Sequence, residues 1–237
     1  MRTDAEHVAT RLAAIQTRIE AARREAEPSV RADRVRVVAV TKYLDAEQML
    51  ELRAAGLELF GENRAQAALT KLEAFADQPA ERRPLEWHFI GTLQGNKVRQ
   101  VVGRFQLIHS VDRLELAEEL SREAGRRGLV QPVLLQVNVS GEASKHGFTE
   151  AGLTELWPRL GRLPGLRLDG LMGMAAAEGD AGAEFRRLRR LRDRLDPERG
   201  RLRELSMGMS GDFEEAVREG ASLVRIGTYL FSEEAGT

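Results

Sequence analysis

The sequence predicts a parallel α/β barrel of eight strands, a (β/α)8 or TIM barrel, with one extra helix at its amino-terminal end. Short apolar, β-branched runs recur along the chain, and amphipathic segments of helical period separate them. Strands that alternate with helices form right-handed βαβ units and a parallel sheet. Eight such units close into a barrel, and 237 residues is near the usual size of about 250. Because no linker or repeat divides the chain, we expect residues 1–237 to form a single domain.

The elements follow one another in a regular order. Residues 4–25 carry an apolar stripe at helical spacing, from Val8 to Ile19, and we expect this helix to pack on the outside or the base of the barrel. The eight strands are predicted at 35–41, 57–61, 86–91, 105–110, 133–139, 166–172, 203–207 and 223–227. The helices between and after them are predicted at 45–55, 64–75, 96–102, 113–127, 150–163, 183–195 and 213–219.

Composition restricts the possible partners. A net charge of −1 gives no reason to expect nucleic acid or a membrane surface as a partner. The absence of cysteine excludes disulfides, a thiolate metal site and a cysteine nucleophile. No apolar run approaches the roughly 20 residues that span a bilayer, and the first six residues lack the apolar segment of a signal peptide. We therefore expect a soluble, cytoplasmic protein, and a monomer.

Lys42 is the most informative residue, because it ends the first predicted strand and only four of the 36 basic residues are lysine. Such a lysine can extend from the strand end into water. Alternatively, its amine lies at the edge of the apolar core, where desolvation favours the neutral form that attacks carbonyl groups.

Polar and unusual side chains also occur where the other strands end, which in a barrel is the functional face. They are Glu62, Asn63, His88, Ser110, Asp112, Asn138, Met172, Met174, Ser206, Ser210, Arg225, Gly227 and Thr228. The segment from Ser206 to Asp212 is rich in glycine and hydroxyl groups and precedes a helix, as phosphate-binding loops do. A helix cap with a plain turn gives the same pattern. A lysine on the first strand and a phosphate site on the seventh and eighth strands together fit pyridoxal 5′-phosphate.

Seven motifs stand in the order and spacing of the pyridoxal-phosphate homeostasis family, which this chain resembles from about residue 8 to 231. They are AVTK ending at Lys42, FGEN ending at Asn63, WHFIG around His88, LQGNK ending at Lys97, GLMGM around Met172, LSMGMS ending at Ser210 and VRIGT ending at Thr228. The family is similar to the N-terminal barrel domain of alanine racemase, the type III fold of pyridoxal-phosphate proteins. The resemblance implies a cofactor-binding role in vitamin B6 balance.

The resemblance also implies roles for single residues. Lys42 matches the lysine that holds the cofactor as a Schiff base, and Arg225 matches the arginine that faces the pyridine nitrogen. Ser210, Gly227 and Thr228 match phosphate contacts. The remaining expected cofactor-binding residues are Ser206 and Met209 in the loop after the seventh strand, and Asn63, His88 and Met172 around the ring. Core filling is the alternative for the methionines.

Three classes of function remain open at this stage. The first is a cofactor-binding homeostasis protein that supplies pyridoxal-phosphate-dependent apoenzymes. The second is a pyridoxal-phosphate-dependent amino-acid racemase, which needs a second base; in the racemase that base comes from an additional domain, and this sequence ends at Thr237. The third is a cofactor-free Schiff-base aldolase. We expect binding without efficient turnover. The roles of Lys97 and of the loop from Lys145 to Phe148 stay open.

Overall fold

The computed structural model describes residues 3–75, 85–142 and 145–231, and its strands form one closed parallel barrel. The strands are β1 (Arg36–Val40), β2 (Leu59–Glu62), β3 (Glu86–Phe89), β4 (Leu107–Val111), β5 (Gln131–Gln136), β6 (Leu166–Met172), β7 (Glu204–Ser206) and β8 (Leu223–Ile226). Each strand pairs with its neighbours in chain order, and β1 closes the barrel by pairing with β8. The predicted fold is confirmed.

Helices cover the outside of the barrel. They are α1 (Ala5–Glu25), α2 (Ala46–Ala54), α3 (Ala65–Ala74), α4 (Val98–Val101), α5 (Leu114–Arg126), α6 (Glu150–Leu160), α7 (Ala181–Leu195), α8 (Phe213–Arg218) and α9 (Thr228–Phe231). The helix predicted at 96–102 is instead a 3-10 turn, Gly95–Lys97, followed by the four residues of α4. Glycine and asparagine favour helices poorly, which explains the shorter element. Within the described residues, no helix combines the length and apolarity that crossing a membrane requires.

Strand β5 departs most clearly from its predicted bounds of 133–139, because it ends at Gln136. Beyond it, Asn138 organises a turn: its Oδ1 atom accepts hydrogen bonds from the Gly141 N–H at 3.0 Å and from the Ser140 hydroxyl at 3.2 Å. Asparagine side chains stabilise such turns by bonding to the backbone two or three residues on. The apolar residues after Gln136 therefore belong to a loop, which returns to the sheet through a bridge between Val137 and Phe148.

Side chains of each strand alternate between two apolar layers. The layer between strands and helices is the larger one and includes Ala39, Phe60 and Leu135. A smaller cluster fills the barrel interior; its buried members are Val38, Leu59, Leu107, Leu134, Met172 and Leu223. Filling the interior with side chains from several strands makes the barrel a packed core and not a pore.

Helix α1 packs against the outer helices α2, α8 and α9, as predicted for an extra helix outside the barrel. Its apolar stripe is buried, and the Asp4 side chain caps it by accepting a hydrogen bond from the His7 N–H at 3.0 Å. Arg18 forms an ion pair with Glu214 of α8 at 2.5 Å, and its guanidinium lies 4.8 Å from the centroid of the Phe213 ring. Helix α1 therefore braces the side of the barrel where β8 meets β1.

Candidate functional site

The carboxyl ends of the strands and the loops that follow them form the rim of the barrel, and Lys42 stands there directly after β1. Its side chain is exposed, and Nζ lies 4.8 Å from the centroid of the Tyr43 ring. The exposed side chain agrees with the alternative in which Lys42 extends from the strand end into water, and the residue buried at the end of β1 is Thr41. Lys42 is therefore accessible to an incoming carbonyl compound without any movement of the core.

A buried ionic cluster lies behind Lys42. The Lys71 ammonium contacts Glu62 Oε1 at 2.6 Å and donates to the Thr41 carbonyl oxygen at 2.8 Å. The Thr41 hydroxyl donates to the same Glu62 oxygen at 2.5 Å. All three side chains are buried. Because they tie α3 to the ends of β1 and β2, they fix the backbone from which Lys42 extends.

Arg225 is a buried cation on β8, one strand away from Lys42 across the closure of the barrel. It donates to the Ser206 hydroxyl at 2.5 Å and to the Gly173 carbonyl oxygen at 3.0 Å. Burial lowers the pKa of Arg225 to about 10, with Asp212 acting in the opposite direction. The guanidinium therefore remains charged at neutral pH and is held at the ends of β6 and β7.

Two histidines continue from Ser206 into the barrel interior. His109 Nδ1 lies 2.9 Å from Ser206 Oγ, and His109 Nε2 lies 2.9 Å from His88 Nδ1. His88 Nε2 lies 2.8 Å from Glu86 Oε1, and Arg36 binds the same carboxylate through two hydrogen bonds, of 2.7 and 3.0 Å. His88 was expected to line the cofactor ring, but both of its nitrogens are engaged inside the barrel.

Burial and neighbouring charges set the protonation of this interior group. Burial lowers the pKa of His88 and places that of His109 well below the ordinary value. The hydrogen bond with His88, and then Arg36, lowers the pKa of Glu86 to about 2 against the effect of burial. At neutral pH the two imidazoles are therefore neutral and Glu86 is a carboxylate.

The loops after β7 and β8 form the predicted phosphate region. The Ser210 hydroxyl accepts a hydrogen bond from the Tyr229 N–H at 3.3 Å, which joins the two loops. Among the described residues, no acceptor is found for the backbone N–H groups of Ser210, Gly227 and Thr228. Met209 differs, because its N–H donates to the Asp212 carboxylate at 2.6 Å and its side chain is exposed. The loops thus offer three free N–H donors and two hydroxyl groups to an anion.

Asn63 completes the rim after β2. Its Oδ1 atom is buried and has no hydrogen-bond partner among the described residues. Gly91 packs against it so closely that a β-carbon there would lie 2.1 Å from the Asn63 carbonyl oxygen. An unpaired buried acceptor is costly unless a ligand or water satisfies it. The accessible amine, the free N–H donors and this acceptor together fit a phosphorylated aldehyde such as pyridoxal phosphate.

Two further lysines lie near the rim. Lys97 borders a cavity of about 240 Å³ together with Asn63 and Thr92. Lys145 donates to the Ala175 carbonyl oxygen at 3.1 Å and pairs with Glu142 at 2.8 Å. Unlike Lys71, neither lysine is buried.

The structure brings together most, but not all, of the residues that were predicted to bind the cofactor. Lys42, Asn63, Ser206, Ser210, Arg225, Gly227 and Thr228 lie at the carboxyl ends of the neighbouring strands β7, β8, β1 and β2. Met172 is buried in the interior cluster, in agreement with the core-filling alternative. No role for His109 or Lys71 was predicted from the sequence. The available signals were a histidine inside the apolar run of β4 and a rare lysine on an apolar helix face.

The barrel and its rim define the class of the protein. The family model described as "Alanine racemase, N-terminal domain" matches residues 10–234. Alanine racemase from Corynebacterium glutamicum shares the fold, with a TM-score of 0.71 at 16% identity, over 99% of this chain and 63% of that one. The particular family follows from closer relatives. The pyridoxal phosphate homeostasis protein of Pseudomonas aeruginosa is 45% identical over 233 residues, 98% of this chain and 96% of its own.

The protein of the same name from Escherichia coli K12 is 37% identical over 227 residues, 94% of this chain and 95% of its own. Among solved structures, PipY of Synechococcus elongatus PCC7942 with PLP bound has a TM-score of 0.78 at 37% identity, over 95% of this chain and all of that one. The chain belongs to the pyridoxal phosphate homeostasis protein family.

Proposed function

We propose that this protein binds pyridoxal 5′-phosphate on Lys42 and acts in the homeostasis of that cofactor. The recipients of the cofactor are pyridoxal-phosphate-dependent apoenzymes. The observation that carries the proposal is the closure of the barrel, where Ala39 of β1 pairs with Ile226 of β8. This pairing makes β1, which Lys42 follows, the neighbour of β8, which carries Arg225 and precedes the loop of Gly227 and Thr228, and this arrangement supports the proposal. A relative of 37% identity has been solved with PLP bound, which supports the same ligand here. The family match over residues 10–234 supports assigning the role to one domain.

Each group at the rim has a separate task in this proposal. The Lys42 amine condenses with the aldehyde of the cofactor, and water leaves. Ser210, Gly227 and Thr228 bind the phosphate through N–H and hydroxyl donors. Arg225 would face the ring nitrogen, and the unpartnered Asn63 oxygen would accept a hydrogen bond from the ligand at the rim.

Arg225 also bears on turnover. Bound pyridoxal phosphate supplies an electron sink for amino-acid chemistry, and the sink is strongest when the ring nitrogen is protonated. A guanidinium that stays charged at neutral pH presents a donor to that nitrogen and disfavours its protonation. We therefore assign binding without efficient turnover. For the racemase alternative, the similarity to alanine racemase, at 16% identity, supports only a shared fold.

Borohydride reduction followed by peptide mass spectrometry tests the attachment. We expect purified protein loaded with pyridoxal phosphate to be yellow, and the reduced cofactor to be on Lys42. Lys97→Arg serves as a control that removes another lysine of the rim and keeps the label. A label on Lys71 or Lys97, with Lys42 unmodified, would contradict the proposal.

A further inference from the structure

A row of hydrogen bonds crosses the barrel interior from the base, where the strands begin, to the rim. It runs from Glu86 through His88 and His109 to Ser206 and Arg225. The members come from β3, β4, β7 and β8. Glu86, His109 and Arg225 are separated widely in sequence, so only the closed barrel assembles the row. All of it except Glu86 is buried.

The chemistry of the groups gives this row a single direction. Arg225 has only donors, so the Ser206 oxygen accepts from it. The Ser206 oxygen has a second lone pair, so the direction is fixed at the other end of the row. There the Glu86 carboxylate has only acceptors, so the neutral His88 ring carries its hydrogen on Nε2 and accepts at Nδ1. A neutral His109 therefore carries its hydrogen on Nε2 and donates to His88 Nδ1.

His88 repeats the pattern. Its hydrogen lies on Nε2 and points at Glu86, and its Nδ1 accepts from His109. The Glu86 carboxylate has only acceptors and ends the row, and Arg36 neutralises its charge. Every donor thus points away from the rim. The opposite direction would need a hydrogen on Glu86, which a carboxylate lacks. His109 Nδ1 is therefore unprotonated, and the Ser206 hydroxyl hydrogen is directed at it.

We propose that His109, supported by His88, acts through Ser206 as a positioning residue that keeps Arg225 aimed as a donor at the ring nitrogen of pyridoxal phosphate. This inference rests on the proposed function. His109 holds the Ser206 hydroxyl hydrogen away from Arg225, so that a lone pair of the oxygen stays directed at the guanidinium. Without that acceptor, the hydroxyl hydrogen takes other orientations, and the contact between Ser206 and the guanidinium weakens.

Two variants separate the positioning role from the packing role of His109. Asparagine places an oxygen near the position of Nδ1, so His109→Asn keeps the acceptor for Ser206 and loses the bond to His88. Glutamine places its amide nitrogen near the position of Nε2, so His109→Gln keeps the donor to His88 and loses the acceptor. Both variants leave a similar polar side chain in the interior, and circular dichroism checks that each is folded.

The probes are pyridoxal phosphate and its 1-deaza analogue, in which a C–H group replaces the ring nitrogen. Equilibrium dialysis gives the preference of each variant for pyridoxal phosphate over the analogue. We expect wild type and His109→Asn to share the same preference. We expect His109→Gln to reduce it by roughly two- to tenfold, the loss of one ordinary hydrogen bond.

An equal loss of affinity for both probes in His109→Gln would mean that His109 only packs, and would overturn the inference. An unchanged preference in that variant would overturn it as well. Wild type that binds pyridoxal phosphate without preferring it would contradict the inference and the role of Arg225, and would leave cofactor binding on Lys42 intact. Wild type that binds neither probe would overturn both.

A second measurement needs no ligand. Nitrogen-15 NMR of labelled histidines in wild type should show Nε2-protonated, neutral rings for both His88 and His109. Protonation of His109 at Nδ1 would reverse the row at Ser206 and contradict the inference.

Discussion

Lowering the pH should destabilise the fold through its two interior histidines. Burial lowers the pKa of His88, and that of His109 falls well below the ordinary value of 6.5. In the unfolded chain both imidazoles take up protons below that value, whereas burial in the folded barrel opposes protonation of both, of His109 most strongly. The unfolded state then binds more protons, so stability falls as the pH falls below 6.5.

The magnitude follows from counting protons. A histidine that stays neutral in the fold lowers the free energy of unfolding by about 2 kcal/mol between about pH 8 and about pH 5, and both together by up to about 4. Glu86 does not contribute in this range, because its folded pKa is about 2 and its stabilising effect is lost only below its ordinary value of 4.5. Burial raises the pKa of Asp212 from 3.8, which acts in the opposite sense at the acid end.

Urea unfolding at a series of pH values measures the effect. We expect His109→Gln to remove at least half of the slope, because it deletes the more strongly shifted group. His146→Gln is the matched control, because it removes an exposed histidine and keeps the interior pair. A stability that does not change between about pH 8 and about pH 5, or a slope that persists in His109→Gln, would refute the reasoning.

Three further outcomes are expected. Lys71→Met leaves the buried Glu62 carboxylate unpaired and should cost about 3–5 kcal/mol in urea unfolding; a cost below about 1 kcal/mol would argue against a buried ion pair. Ser210→Ala combined with Thr228→Ala should weaken cofactor affinity by roughly 1.5–3 kcal/mol per lost bond in equilibrium dialysis, with native circular dichroism. Unchanged affinity would place the phosphate elsewhere. Deuterium exchange at Cα of L-amino acids should stay below about 1 s⁻¹, the lower end of ordinary enzymes, because Arg225 keeps the ring a weak electron sink.

The fold could be predicted from the sequence because it depends on local patterns. Strands β1 to β8 coincide with apolar runs bounded by polar residues, and their number and order suffice for a closed barrel. The residues at which strands end are less strongly determined by the local sequence than the number and order of the strands, as β5 illustrates. There the apolar residues after Gln136 belong to a turn that the Asn138 side chain organises.

The site could be predicted only where its residues follow strands in sequence. Lys42 and Thr228 were placed at the rim because each comes directly after an apolar run. The sequence alone could not decide between an exposed Lys42 and one at the edge of the core, since that depends on where β1 leaves the sheet. The contact between His109 and Ser206 joins residues 97 positions apart, and nothing in the local pattern of either strand specifies it.

The pairing of β1 with β8 has a consequence for the order of folding. The first and last strands must meet before Lys42 and Arg225 lie on neighbouring strands, and nearly the whole sequence of the barrel separates them. Contacts between such distant segments form slowly, because closing a long loop costs entropy that only late contacts repay. Under the proposed function, cofactor binding therefore reports on closure of the barrel. A chain that has formed β1 to β7 but not β8 has its lysine in place and lacks both the cation and the Thr228 loop that would retain the ligand.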